Sequence, residues 1–228
     1  KNEQDNEDNK VQQQIEESVC ENAQEDIENI IEETDERLFK QMEFALELDK
    51  EKLIGRQTYI SDSSRKENDA EHAWHLALMT MLLSEYSDEK IDVLRTMEMV
   101  IIHDVVEIDA GDTFAYDTEA NNTKREREVA AADRLFNMLP HEQAVKFRKL
   151  WDEFEEGMSP EAKFARSLDS MQPIMLNNAT GGKAWREHGV EAKSVVDRVE
   201  KMIRPGSQQL YNLAKQYIDK NKKDGNLK

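Results

Sequence analysis

An all-α fold is predicted for this 228-residue chain by three observations. Apolar residues return at helical spacing in segment after segment, alternating β-branched runs are nearly absent, and capping residues sit where the polar stretches meet the apolar ones. The length suits one ordinary domain with an appendage, enough to bury a sizeable core. Residues 1–10 (KNEQDNEDNK) are wholly polar and predict no packed structure by themselves. From Val11 to Ile31 a thin apolar row (Val11, Ile15, Val19, Ala23, Ile27, Ile31) suits a marginal helix docked on the domain or on a partner. Disorder is the competing expectation there.

The remainder reads as helix after helix. Thr34 caps a helix carrying Leu38, Phe39, Met42, Leu46 and Leu53. Residues 55–68 (GRQTYISDSSRKEN) read as a polar loop. Asp69 to Glu85 forms a helix with Trp74, Leu76, Ala77, Met79, Leu82 and Leu83. Ser87 caps the next, in which Ile91, Leu94, Met97, Ile101 and Val105 recur at helical spacing. After a loop from Asp109 to Asn122, helices are expected over Thr123–Met138 and His141–Glu155. Ser159-Pro160 opens another, an N-cap followed by proline at the first position, reaching about Leu176. Beyond Gly181-Gly182 two final helices follow, the second capped by Ser207.

Charge excludes whole classes of partner. The formal net charge is −18, and residues 1–36 hold fourteen Asp or Glu against Lys1 and Lys10. Nucleic acid and anionic membrane both require a basic face, so neither is expected as a partner, although a local basic pocket for one phosphate is compatible. No apolar run approaches the length of a membrane span. Cys20 is the single cysteine, which rules out an intramolecular disulfide and fits a reducing, cytoplasmic setting.

Three clusters could carry chemistry: Glu71-His72-Ala73-Trp74-His75, His103-Asp104 with Glu107 and Asp112, and Asp169. His103-Asp104 ends the apolar stretch 97–102, where a buried imidazole and carboxylate need compensation. On one helix Glu107 would lie one turn beyond them, and facing helices could add His72 and Asp169 to a mixed nitrogen and oxygen site. Such a donor set suits a divalent ion such as Mn, Co, Mg, Zn or Fe. Taken singly, each of these residues is more simply read as a surface or satisfied core group. His75 has packing as its first reading, and His141 and His188 receive no role.

In that order, His72, His103-Asp104, Glu107, Gly111-Asp112 and Asp169 resemble the HD-domain metal-dependent phosphohydrolase superfamily, and within it the 5'-deoxynucleotidase-like branch. Glu67-Asn68 before Glu71-His72 matches as well, as do Leu168-Asp169-Ser170-Met171-Gln172-Pro173 and the stretch from Gly181 to Gly189. The resemblance runs from about Leu38 to about Val199. It divides the chain into an acidic extension, 1–33, and an HD phosphohydrolase domain, 34–228. It implies that His72, His103, Asp104 and Asp169 ligate one divalent metal ion, while Glu107 and Asp112 handle protons. Arg56 would contact the substrate phosphate, with an exposed helix-end arginine as the alternative. Lys124 or Arg125 could reach a phosphate or simply form a solvated face. Gln57 departs from the Trp that some relatives carry beside this arginine, which leaves the sugar preference open; Trp185 could line a pocket or pack.

The function so implied is hydrolysis of a phosphate monoester, a nucleoside 5'-monophosphate first among them, by a homodimer. The rivals are another HD phosphohydrolase, acting on a phosphodiester, a nucleoside triphosphate or a non-nucleotide phosphate, and a non-catalytic metal- or ligand-binding module. Glu107 and Asp112 favour an enzyme, since a structural site needs only its ligands.

Overall fold

The computed structural model describes residues 36–116 and 122–228. The row from Val11 to Ile31, the Thr34 cap and part of the 109–122 loop lie outside the described residues. Two compact units are distinguished, Lys1–Glu43 and Phe44–Lys228. Of the first, residues 36–43 are described, and they open helix α1 (Glu36–Leu48). The second unit is helical apart from one hairpin, in keeping with an all-α class.

The hairpin corrects the loop expected over 55–68. Strand β1 (Gly55–Tyr59) pairs antiparallel with β2 (Lys66–Asn68), Gly55 opposite Asn68 and Tyr59 opposite Lys66. Its pattern was not legible because the residue it buries at the centre of β2 is the charged Glu67. Helix α1 also ends earlier than its apolar spacing suggests, passing at Asp49 into a 3₁₀ turn that runs to Leu53.

Helix α2 (Asp69–Leu83) starts at a reciprocal cap. The Asn68 side chain accepts from the Glu71 amide, and the Glu71 carboxylate accepts from the Asn68 amide. This helix is apolar nearly all round, so spacing alone could not choose its buried face. Leu76, Ala77 and Met79 are buried, whereas Trp74 is 63% exposed and Leu82 is 72% exposed. Helix α3 (Val93–Ile102) is capped by Asp92, whose side chain accepts from the Arg95 amide, and not by Ser87. Its buried face is Thr96, Met99, Val100 and Ile102, with Leu94 and Ile101 turned to solvent.

The continuous helix expected through His103 and Glu107 is broken. Residues 103–106 form turns, and a single helical turn, α4 (Glu107–Ala110), follows before Gly111 at φ 73° stops it. Helices α5 (Lys124–Phe136) and α6 (His141–Glu156) come next. Helix α7 (Pro160–Ala179) begins as anticipated, Ser159 accepting from the Ala162 amide, but runs past Leu176. Three helices complete the chain where two were expected: the short α8 (Lys183–Glu187), α9 (Ala192–Met202) and α10 (Gln208–Lys223), the last capped by Ser207.

Helix α7 is central, packing against α2, α3, α6, α9 and α10. Trp151, Phe136, Phe164, Leu135, Met99 and Leu168 are wholly buried around it. Among the described residues no helix is long and apolar enough to cross a membrane.

The turn between α9 and α10 clamps onto α7. Ser167 Oγ donates to the carbonyl of Lys163 at 2.7 Å and lies 2.9 Å from that of Ile203, and Gly206 closes against the same spot. A Cβ at Gly206 would collide with the Lys163 carbonyl and with Ser167 Oγ. Gly206→Ala is therefore expected to destabilise the fold by about 1–3 kcal/mol. Urea unfolding followed by far-UV circular dichroism measures this, and an unchanged midpoint would contradict the clamp.

Candidate functional site

Four elements meet at one end of a cavity of about 370 Å³. The beginning of α2 contributes His72, the turn after α3 contributes His103 and Asp104, α4 contributes Glu107, and the middle of α7 contributes Asp169. Instead of stacking along one helix, His103 and Asp104 lie in the bend, and Glu107 opens a new turn beside them. Within α7, Pro173 cannot donate to the carbonyl of Asp169, and the helix continues past it.

His72 Nε2 lies 3.2 Å from Asp169 Oδ1 and 3.8 Å from Asp104 Oδ2. His103 Nε2 lies 3.1 Å from Asp104 Oδ2 and 3.7 Å from Asp169 Oδ1. Metal–ligand bonds of about 2.0–2.2 Å set ligand–ligand edges of about 2.8–3.6 Å; the two shorter separations fall in that range and the two longer ones lie just beyond it, so a small inward shift would bring all four donors around one cation. His103 Nε2 is buried and has no hydrogen-bond partner. Its other nitrogen, Nδ1, is 2.9 Å from the Val100 carbonyl, which directs Nε2 toward the cluster. Two imidazoles and two carboxylates, with His103 Nε2 left unpartnered toward the cluster, fit a borderline or hard divalent ion. A second group of oxygens, from Asp69, Asp104 and Glu107, also converges within 4.8 Å.

The electrostatics keep two carboxylates charged at the same point. Burial would raise the carboxyls of Asp104 and Asp169, yet the neighbouring imidazoles, and Arg56 at Asp104, hold both well below the usual carboxylate range. Burial would lower His103, yet Asp104 and Asp169 carry it well above an ordinary imidazole. His72 is pushed down to about 4 by burial and then by the Arg56 charge. Glu107 is pushed well above the usual range by burial and by the charges of Asp104 and Asp69. Burial also raises Asp112, which lines the cavity with Glu107.

Arg56, on β1, is not an exposed helix-end residue. Its Nη1 donates to Asp69 Oδ1 at 3.0 Å and to Asp104 Oδ2 at 2.7 Å. Lys124 faces Glu107 Oε1 at 3.7 Å and Glu128 Oε1 at 3.2 Å, so it too belongs to the cavity wall. Gln57 and Trp185 line the cavity as well. The Gln57 Oε1 accepts from Lys66 Nζ at 2.5 Å and lies 3.1 Å from His188 Nε2, giving His188 a contact that the sequence did not suggest. Spacing also missed Glu51, Glu67 and Asp69, all buried. Glu51 and Asp69 are raised to about 7, each by burial first and then by Asp104. Only the position of Glu67 and Asp69 beside the His72 motif could have signalled them.

A family model described as HD domain matches residues 48–211. A crystal structure of a predicted metal-dependent phosphohydrolase from Magnetospirillum magnetotacticum MS-1 is 46% identical, with a TM-score of 0.80, covering 84% of this chain and 95% of that one. The PH0347 protein from Pyrococcus horikoshii OT3, at 19% identity and a TM-score of 0.56 over 77% of this chain and 99% of that one, shares the fold. The 5'-deoxynucleotidase HDDC2 of Xenopus laevis is 30% identical over 125 residues, 54% of this chain and 61% of that protein. Its Homo sapiens counterpart is 29% identical over 111 residues, 49% of this chain and 53% of that protein. The chain thus spans about three-fifths or less of the length of these curated relatives. With the family match covering most of its length and enclosing His72, His103-Asp104 and Asp169, the chain belongs to the HD domain family.

Proposed function

We propose that this chain is a metal-dependent phosphohydrolase that cleaves a phosphate monoester, with a nucleoside 5'-monophosphate as its substrate. The observation that carries the reading is the junction of two unlike features in one cavity. The cluster of His72, His103 and Asp104, all buried, with Asp169 beside them suits a divalent ion, and Arg56 lies 2.7 Å from its Asp104. The relatives named 5'-deoxynucleotidase support the nucleotide, and the 370 Å³ cavity lies within the range of small-ligand sites.

His72, His103, Asp104 and Asp169 would hold the ion. A divalent ion in this place acidifies water and neutralises charge on phosphoryl oxygens. Everything else falls to the chain's own side chains. Arg56 presents a permanent charge to the phosphate, with Nη2 left to donate while Nη1 holds Asp69 and Asp104. Lys124, beside Glu107, adds a second positive charge on the same wall. Glu107, buried at the edge of the cluster, accepts the proton of the attacking water, and Asp112 returns a proton to the leaving oxygen. Phe114, Tyr116 and Trp185 give the cavity an apolar side against which a base and sugar can rest.

Two measurements test this. Metal-stripped protein supplied with Mn, Co, Mg, Zn or Fe is expected to release phosphate from nucleoside 5'-monophosphates, ribo and deoxy both assayed because Gln57 lines the cavity, and chelation should stop it. Failure to turn over any of them with any ion would instead favour a ligand-binding module. Glu107→Gln should retain the metal while the rate falls about 10²–10⁴-fold, whereas Asp104→Ala should lose both. Metal content by atomic emission beside initial rates separates the two; full activity in Glu107→Gln would sink the assignment of the base.

A further inference from the structure

Behind the ligand cluster, three buried polar atoms without hydrogen-bond partners face one another: Glu67 Oε1, His72 Nδ1 and Arg56 Nε. Glu67 Oε1 is 3.7 Å from His72 Nδ1 and 3.5 Å from Arg56 Nε. Folded proteins seldom leave such atoms unpaired, because each has lost its water without replacement. Arg56 Nε is a donor and the Glu67 oxygen an acceptor, and with His72 Nε2 given to the ligand cluster its Nδ1 carries the hydrogen, so a small approach satisfies all three at once.

The carboxylate is itself tethered. Its other oxygen, Oε2, accepts from Gln172 Nε2 at 2.8 Å, and Gln172 is completely buried on α7, one turn beyond Asp169. Gln172 Nε2 also lies 3.3 Å from Nδ1 of the half-buried His75, which accounts for that residue without bringing it into the cluster. The two histidines are therefore oriented differently. His103 has its Nδ1 against the Val100 carbonyl, a backbone group, whereas the group facing His72 Nδ1 is a side chain from the hairpin.

We propose that Glu67 is a positioning residue, whose Oε1 receives the His72 Nδ1–H and the Arg56 Nε–H. The first contact commits His72 Nε2 to the ligand cluster, and the second sets the guanidinium plane beside Asp104. One carboxylate thereby ties the metal-holding histidine to the phosphate-holding arginine. A ligand histidine whose far nitrogen is held by a carboxylate is more basic and fixed in one tautomer. This inference rests on the metal-site reading above.

The test compares wild type with Glu67→Gln, which keeps the shape of the side chain but removes its charge. Cobalt affinity of metal-stripped protein, measured by calorimetry, is expected to weaken about 10–100-fold while the circular dichroism spectrum is unchanged. In zinc-loaded protein labelled with ¹⁵N-histidine, the hydrogen-bonded His72 Nδ1–H resonance should disappear from its downfield position. A purely structural role would move neither in a variant that stays folded. Affinity within twofold of wild type, or an unmoved resonance, overturns the proposal. If Glu67→Gln does not fold, Gln172→Met unties Glu67 without touching His72 or Arg56. A severalfold loss of cobalt affinity then supports the role, and no loss overturns it. Wild type that binds no cobalt defeats the metal reading and this inference together. Wild type that binds cobalt but hydrolyses no nucleotide defeats the substrate reading alone, and the affinity ratio still decides on Glu67.

Discussion

The partly buried guanidinium of Arg56 carries much of the charge balance of this site. Glu51, Glu67, Asp69, Asp104 and Glu107 are all buried close to one another, and like charges at low dielectric cannot simply be brought together. Arg56 stands among them, in contact with Asp69 and Asp104 and 3.5 Å from Glu67. Removing one partner of such a buried ionic array typically costs several kcal/mol, because the others are left uncompensated. The hairpin carrying Arg56 is therefore part of the machinery and not a decorative excursion from the helices.

The scaffold divides the work between rigid and broken elements. Helix α7, packed on most of its neighbours and clamped by the Gly206 turn, supplies the partly buried Asp169 and the fully buried Gln172. Helix α2, fixed at its start by the Asn68–Glu71 cap, presents His72. The interruption after α3 provides the remaining groups, with His103 and Asp104 in the bend and Glu107 opening the turn that follows. Sites built on element ends in this way gain direction from the fold while keeping side chains free to converge.

How much could be read from the chain alone varies with the physics behind each feature. Helix existence was legible because spacing and caps are local, as at Ser159-Pro160 and Ser207. The buried faces of α2 and α3 were not. Trp74, Leu82, Leu94 and Ile101 are as apolar as the residues that did become core, and only neighbouring elements distinguish them. The hairpin escaped notice because the pattern that usually marks a strand is an apolar alternation, and here the buried position is Glu67.

By itself, then, the sequence determined the all-α class, the order of the helices and the chemical identity of the groups that meet. His72, His103-Asp104 and Asp169 were recognisable because their residue types and order carry the motif, and types and order are properties of the chain. Only the tertiary structure decided that Nε2 of each histidine points at the two aspartates, that Arg56 packs against Asp104, and that Glu67 lies behind His72. Those are distances between residues far apart along the chain. They follow from which helix packs on which, a choice made by summed burial over the whole core and written in no single segment.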